Sequence, residues 1–145
     1  MRHEKLSTTT GYLLAQVCRA QHGRVRAMLH EIGLYRGQQF VLCALWAEEG
    51  LTHSELADRL RVHPATVSNA LKRMERAGFV ERRSDPEDQR VSRVYLTEAG
   101  RSIRGAVERV WSQLEEQTLD GFSVEEHDML DRLLQRVRDN LREEA

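Results

Sequence analysis

The chain has 145 residues, 40% of them apolar and 31% charged, with two prolines, two cysteines and a net charge of −1. This length fits one domain, or one domain with dimerisation arms, and the composition is that expected of a soluble, helix-rich chain rather than a disordered one. No apolar run approaches the ~18–20 residues of a membrane span, and "MRHEKLSTTT" lacks the apolar core of a signal peptide, so the expected setting is the cytoplasm without a membrane partner.

The charge is unevenly placed. Residues 52–104 carry 11 Lys and Arg against 8 Asp and Glu, whereas residues 105–145 carry 5 against 11. A basic middle followed by an acidic arm suggests a nucleic-acid surface held away from an acidic lobe. In chain order, residues 10–32 place Leu14, Cys18, Val25, Met28, Leu29 and Ile32 on one stripe of a long amphipathic helix that Gly33 ends. "GQQFVLCALWAE" is apolar on nearly every side from Phe40 to Trp46, which predicts an enclosed helix. Cys18 and Cys43 form no C-x-x-C pair and lie in these apolar stretches, so buried core thiols are expected.

Thr52, three residues before Glu55, has capping-box spacing and opens a short helix over about 53–60. After "RVH", Pro64 suits the first turn of a helix that runs to Ala77 and stops at Gly78, although His63 is a poor N-cap. From Phe79 the period changes. "FVERRS" and "VSRVYLT" read as two short strands bracketing a turn, and Thr97 can cap a helix over 98–119. That helix carries Ile103, Val107, Val110, Trp111 and Leu114 on one face. Ser123 with Glu126 is a second capping box, opening a last helix with Leu130, Leu133, Leu134, Val137 and Leu141 on its apolar face. The result is a mainly α chain with a small β-hairpin (α+β). Its outer helices are long for one small core, and a second copy of the chain is the simplest cover for their stripes.

Two short helices joined by a few residues form a helix-turn-helix, whose second helix reads DNA in the major groove. On residues 64–77, Val67, Leu71 and Met74 face one way and Ala65, Asn69, Lys72 and Arg76 the other, flanked by Thr66, Ser68 and Arg73. Pro64 and Ala65 keep the leading end small. Asn can pair with adenine, and Lys or Arg with guanine. An ordinary solvated helix face would also be polar, so this helix alone does not decide. A helix-turn-helix followed at once by a hairpin with arginines at its turn, however, is a winged helix.

The stretch "LTHSELADRLRVHPATVSNALKRMERAGFVERRSDPEDQRVSRVYLTEAG" resembles the DNA-binding core of the MarR family of bacterial transcription regulators. Its most specific part is the wing pattern Asp88-Gln89-Arg90 followed by Leu96-Thr97. The resemblance implies a single MarR-type chain 1–145, with a winged helix-turn-helix lobe over 33–97 and dimerisation helices over 8–32 and 98–145. It implies a homodimer, most often a repressor, on a pseudo-palindromic double-stranded operator. Ser68, Asn69 and Arg73 fall at recognition-helix positions. Arg90 falls where the family's wing arginine enters the minor groove, Asp88 where an aspartate orients the wing by pairing with arginine, and Arg93 comes next on the returning strand. One departure is Lys72, where many members carry an acid. The resemblance also suggests a small aromatic or phenolic effector between dimer helices and DNA lobes, for which Tyr12, Arg36, Phe40 and Trp46 are candidates.

The rival readings are weaker. No G-x-S-x-G, Walker loop, G-x-G-x-x-G or H-E-x-x-H supports catalysis, and no cofactor is implied. A winged helix used for protein or RNA contact is the second rival, and an apolar outer face on residues 64–76 would favour a protein partner, whereas this face is polar and basic. The six histidines form no metal-binding pattern, and His53 and His63 are expected to meet solvent or phosphate. Asp85, Glu87 and Asp88 lack the spacing of a calcium loop. The resemblance places the reactive cysteine of peroxide-sensing relatives at about Gly11 here, whereas Cys18 lies two turns further on, so no sensor role is carried over to it.

Overall fold

The computed structural model describes residues 5–35 and 37–143. Its elements are α1 (Thr10–Glu31), α2 (Gln38–Ala47), β1 (Leu51–Thr52), α3 (His53–Leu60), α4 (Pro64–Ala77), β2 (Val80–Ser84), β3 (Ser92–Leu96), α5 (Glu98–Ser102), α6 (Arg104–Thr118) and α7 (Val124–Glu143). The chain separates into two compact units, Met1–Trp111 and Ser112–Ala145, the division falling within α6.

In the first unit, the core is built from Leu34, Leu42, Leu45, Leu51, Leu56, Val67, Leu71, Met74 and Val94, each at most 2% exposed. The expected inward face of α4 is therefore the buried one. Helix starts obey local chemistry: the Thr52 hydroxyl accepts the Glu55 N–H at 3.2 Å, and the Thr97 hydroxyl accepts the Gly100 N–H at 3.1 Å. The two strands of the expected hairpin pair antiparallel, Val80 opposite Leu96 through Ser84 opposite Ser92. A third strand joins them that the sequence pattern does not announce. β1 pairs with β3, Leu51 opposite Val94 and Thr52 opposite Arg93, giving the order β1-β3-β2.

Three expectations need correction. The helix placed over 98–119 is divided at Ile103 into α5 and α6, with right-handed backbone kept there (φ −72°, ψ −13°), so the axis tightens rather than ends. α2 is not enclosed: Phe40 is 49% exposed, and Phe40, Cys43 and Ala47 share an open face at i, i+3 and i+7. Cys18 and Cys43 are accordingly exposed, not core thiols. For Cys18 the reason is that the first half of α1 is left open among the described residues, Leu13 and Val17 being more than half exposed.

In the second unit, the Ser123–Glu126 capping box forms in both directions: the Ser123 hydroxyl accepts the Glu126 N–H at 3.1 Å, and the Glu126 carboxylate accepts the Ser123 N–H at 3.0 Å. The stripe of α7 stays open, with Leu133 46%, Leu134 43% and Leu141 67% exposed.

Two glycines tie the wing to α4 and α5. Gly78 caps α4 at φ +84°, a left-handed conformation favouring glycine, and its carbonyl accepts the Thr97 hydroxyl. At Gly100 the backbone of α5 presses on Phe79, where an added Cβ would sit 2.1 Å from the carbonyl oxygen. Gly100→Ala is therefore expected to destabilise the fold by about 1–3 kcal/mol through overpacking. Urea denaturation reads this, and an unchanged midpoint would show that the two backbones separate freely.

Candidate nucleic-acid interface

α4 begins on His63, whose Nδ1 accepts the Ala65 N–H at 3.4 Å, so the poor N-cap is used after all. Pro64, Ala65, Thr66, Asn69, Lys72, Arg73 and Arg76 are all exposed along this helix. The helix's acid, Glu75, is held by Arg82 of β2, with Nη2 to Oε2 at 3.0 Å. Lys72, Arg73 and Arg76 have no hydrogen-bond or ion-pair partner among the described residues. The face is thus net positive with its cations free, which suits oxygen anions such as backbone phosphates.

Ser68 stands apart from this face. It is half-buried, and its hydroxyl meets Nδ1 of His53 on α3 at 3.2 Å. His53, expected to meet solvent or phosphate, is likewise half-buried, and its Nε2 is enclosed with no partner. Burial pushes its pKa below the usual histidine value. The Arg82 charge adds to this and Glu75 opposes it. Neutral His53 joins α3 to α4 inside the motif, which is why Ser68 turns inward.

The wing turn is organised by its acids. The Asp85 carboxylate accepts the Glu87 N–H at 2.7 Å and the Asp88 carboxylate the Arg90 N–H at 3.1 Å, while Asp85 N–H reaches the Val91 carbonyl at 2.8 Å. The two wing arginines then take different partners. Arg93 donates to the Asp85 carboxylate at 2.7 Å and to the Gly50 carbonyl at 2.9 Å, with Glu55 of α3 at 3.9 Å. Arg90 lies at the tip with its side chain 91% exposed, its Nε 3.2 Å from Asp88. Arg93 is therefore tied down at the wing base, and Arg90 is the side chain presented outward. Arg83 lies over the Tyr95 ring at 4.5 Å and pairs with Glu81.

A cleft of about 920 Å³ opens beside α1 and the start of α2, lined among others by Val25, Leu29, Leu34, Tyr35, Phe40 and Trp111. Of the four effector candidates, Phe40 lines it. Tyr12 is exposed on α1 away from it, and Arg36 lies outside the described residues. Trp46 is also elsewhere: its indole N–H donates to the Gly100 carbonyl at 2.9 Å and Arg104 covers its ring at 5.8 Å, tying α2 to α5. The residues missed are Trp111 and Gln39, joined by an indole N–H to Oε1 bond of 2.7 Å. A signal for them existed, two consecutive glutamines leading an apolar helix, both 4% exposed.

Although the Cys43 side chain reaches the surface, the protein around its thiol desolvates it enough to push the pKa up, with Arg104 lowering it and Glu108 raising it, which is opposite to what a peroxide-reactive thiolate needs. Among the described residues no three His, Cys, Asp or Glu side chains converge as a metal site would require, and no helix is long and apolar enough to cross a membrane.

Comparison with known proteins matches this geometry. The family model described as "MarR family" covers residues 34–92. HTH-type transcriptional regulator YybA of Bacillus subtilis (strain 168) is 27% identical over 128 residues, 88% of this chain and 85% of that one. Transcriptional regulator HosA of Escherichia coli O111:H- is 30% identical over 109 residues, covering 74% and 81% of the two chains. The chain belongs to the MarR family. A crystal structure of a mutant MarR from E. coli complexed with operator DNA superposes with a TM-score of 0.75 at 26% identity, over 88% of this chain and 91% of that one. In this MarR-family chain the pair Asp88–Arg90 is accompanied by a second acid–arginine pair, Asp85–Arg93, nearer the base of the wing.

Hydrogen bonds from Arg93 and from the Glu87 N–H hold the Asp85 carboxyl below the usual aspartate pKa. A depressed folded-state pKa gives stability that is present above the unfolded value and is lost as pH falls through the folded one. The melting temperature of Asp85→Asn is expected to lie below wild type at neutral pH, with the gap closing as pH falls below about 4. Thermal melts across that range check this, and a gap independent of pH would contradict it.

Proposed function

We propose that the chain is a homodimeric, sequence-specific double-stranded DNA-binding repressor acting in the cytoplasm, without enzymatic activity. The observation that carries this reading is the pairing of a free cationic face on α4 with Arg90, 91% exposed at the tip of the adjacent wing. A helix of that character suits the major groove, and an arginine on a wing suits the narrow, negative minor groove of A·T-rich DNA. The operator-bound MarR relative supports the same use of the fold. Asn69, Lys72, Arg73 and Arg76, with Thr66 and the small Pro64 and Ala65, form the helix contribution. Asp88 orients Arg90, and Arg93 with Ser68 acts by holding the elements in place.

The exposed apolar side chains on α1 and α7 favour a second copy as their cover, since aliphatic stripes of this kind are rarely left in water. Residues 8–32 and 98–145 then serve as dimerisation helices around the lobe of 33–97. Twofold symmetry sets half-sites roughly 10 bp apart. The cleft lined by Phe40 and Trp111 suits a small aromatic or phenolic effector, its apolar walls taking the ring.

A gel-shift on the intergenic DNA upstream of its own gene is expected to give a salt-sensitive, competitor-resistant complex. Arg90→Ala should weaken it by about 1–3 kcal/mol, with the loss concentrated on A·T-rich flanks. No shift on any genomic fragment would remove the reading, and unchanged affinity for the variant would mean that the wing stays off the DNA.

A further inference from the structure

A second cleft, of about 390 Å³, lies between α1 and α4, lined by Arg26 and His30 of the first, Arg73 and Arg76 of the second, and Tyr35 and Gln38 between them. It shares Arg26, Tyr35 and Gln38 with the larger cleft but has Arg73 and Arg76 where that cleft has apolar walls. No Asp or Glu lines it, and Arg26, Arg73 and Arg76 have no ion-pair or hydrogen-bond partner among the described residues. The neighbouring lobe arginines Arg82, Arg83, Arg93 and Arg101 all have carboxylate partners.

Gln38 adds a fixed donor. It is 4% exposed, its carbonyl oxygen is taken by the Tyr35 N–H at 3.1 Å, and its side-chain amide N–H groups have no partner among the described residues. His30 packs edge-on to Tyr35, ring centroids 3.9 Å apart, and gives the cleft a firm aromatic wall. Three like charges around one space repel one another until a counter-charge arrives. Guanidinium groups offer their paired N–H donors to oxyanions in a matching fork.

We propose that this cleft binds a small multivalent oxyanion, of the phosphate or polycarboxylate class, and that its occupation competes with DNA for Arg73 and Arg76. The binding stands on the cleft itself, whereas the competition rests on the reading of α4 as the DNA-facing helix. Linkage makes the effect reciprocal: DNA must weaken anion binding by the same factor. Arg26 is on α1, outside the helix read as facing DNA, and borders the larger cleft as well.

Inorganic pyrophosphate is the probe, titrated calorimetrically into the DNA-free full chain at constant ionic strength against sodium chloride. Saturable binding at one per chain is expected, weakened at least about tenfold in Arg26→Ala, a factor that corresponds to 1.4 kcal/mol. In a gel-shift at matched ionic strength, pyrophosphate should weaken wild-type DNA binding and leave Arg26→Ala unaffected, while the variant without pyrophosphate binds DNA like wild type. No saturable heat beyond the chloride control, or binding that Arg26→Ala leaves intact, overturns the site. Arg26→Ala that itself binds DNA more weakly, with a salt slope lower by about one, overturns it in favour of a DNA phosphate seat. Pyrophosphate that binds without moving the gel-shift overturns the competition. A wild type that binds pyrophosphate but no DNA fails the DNA reading and leaves the anion site standing.

Discussion

Arg93 joins segments far apart in the chain. From β3 it donates to Asp85 at the wing turn and to the Gly50 carbonyl before β1, and it lies near Glu55 in the first turn of α3. A hairpin standing alone is marginally stable in water and free to swing. Here its base is fixed to the helix-turn-helix by one guanidinium with several donors in a set plane, which a lysine could not reproduce. The third strand has the same effect: β1 pairs with β3 at Arg93 itself, so sheet and ion pair hold one joint.

With the base fixed, the tip is left with one outward charge. Arg90 is restrained through its backbone N–H, held by Asp88, rather than through burial. An exposed ion pair of this kind contributes little to stability, on the order of 0–1 kcal/mol. Its value is orientation: the guanidinium can leave Asp88 for a groove of higher negative potential at small cost. The same division recurs inside the motif, where Ser68 and His53 join α3 to α4 while Asn69, Lys72, Arg73 and Arg76 remain free.

Much of this was legible in local sequence patterns. Val67, Leu71 and Met74 gave the inner face of α4, Thr52, Thr97 and Ser123 marked helix starts, and Gly78 marked the change of period. What could not be read depends on partners distant in sequence. β1 has two residues, too few for any period, and exists because Val94 and Arg93 lie opposite. Arg93 and Arg90 look alike in the string, and the neighbours that separate them, Gly50 and Glu55, are some 40 residues away. Trp46, one candidate for the effector site, donates its indole N–H to the Gly100 carbonyl 54 residues away. An apolar stripe implies a cover and so buried thiols, but among the described residues nothing covers Cys18 and Cys43.

The claim that the frame around Arg93 presents Arg90 to the minor groove is tested most directly by exchanging base pairs beneath the wing. Inosine·cytosine keeps the minor-groove face of A·T but shows the major groove the face of G·C. Operator affinity is measured with A·T, inosine·cytosine and G·C at the wing positions, for wild type and Arg90→Ala. The account predicts that wild type binds the A·T and inosine·cytosine operators equally and the G·C operator more weakly, with Arg90→Ala indifferent to all three. An inosine·cytosine operator as poor as G·C would contradict it.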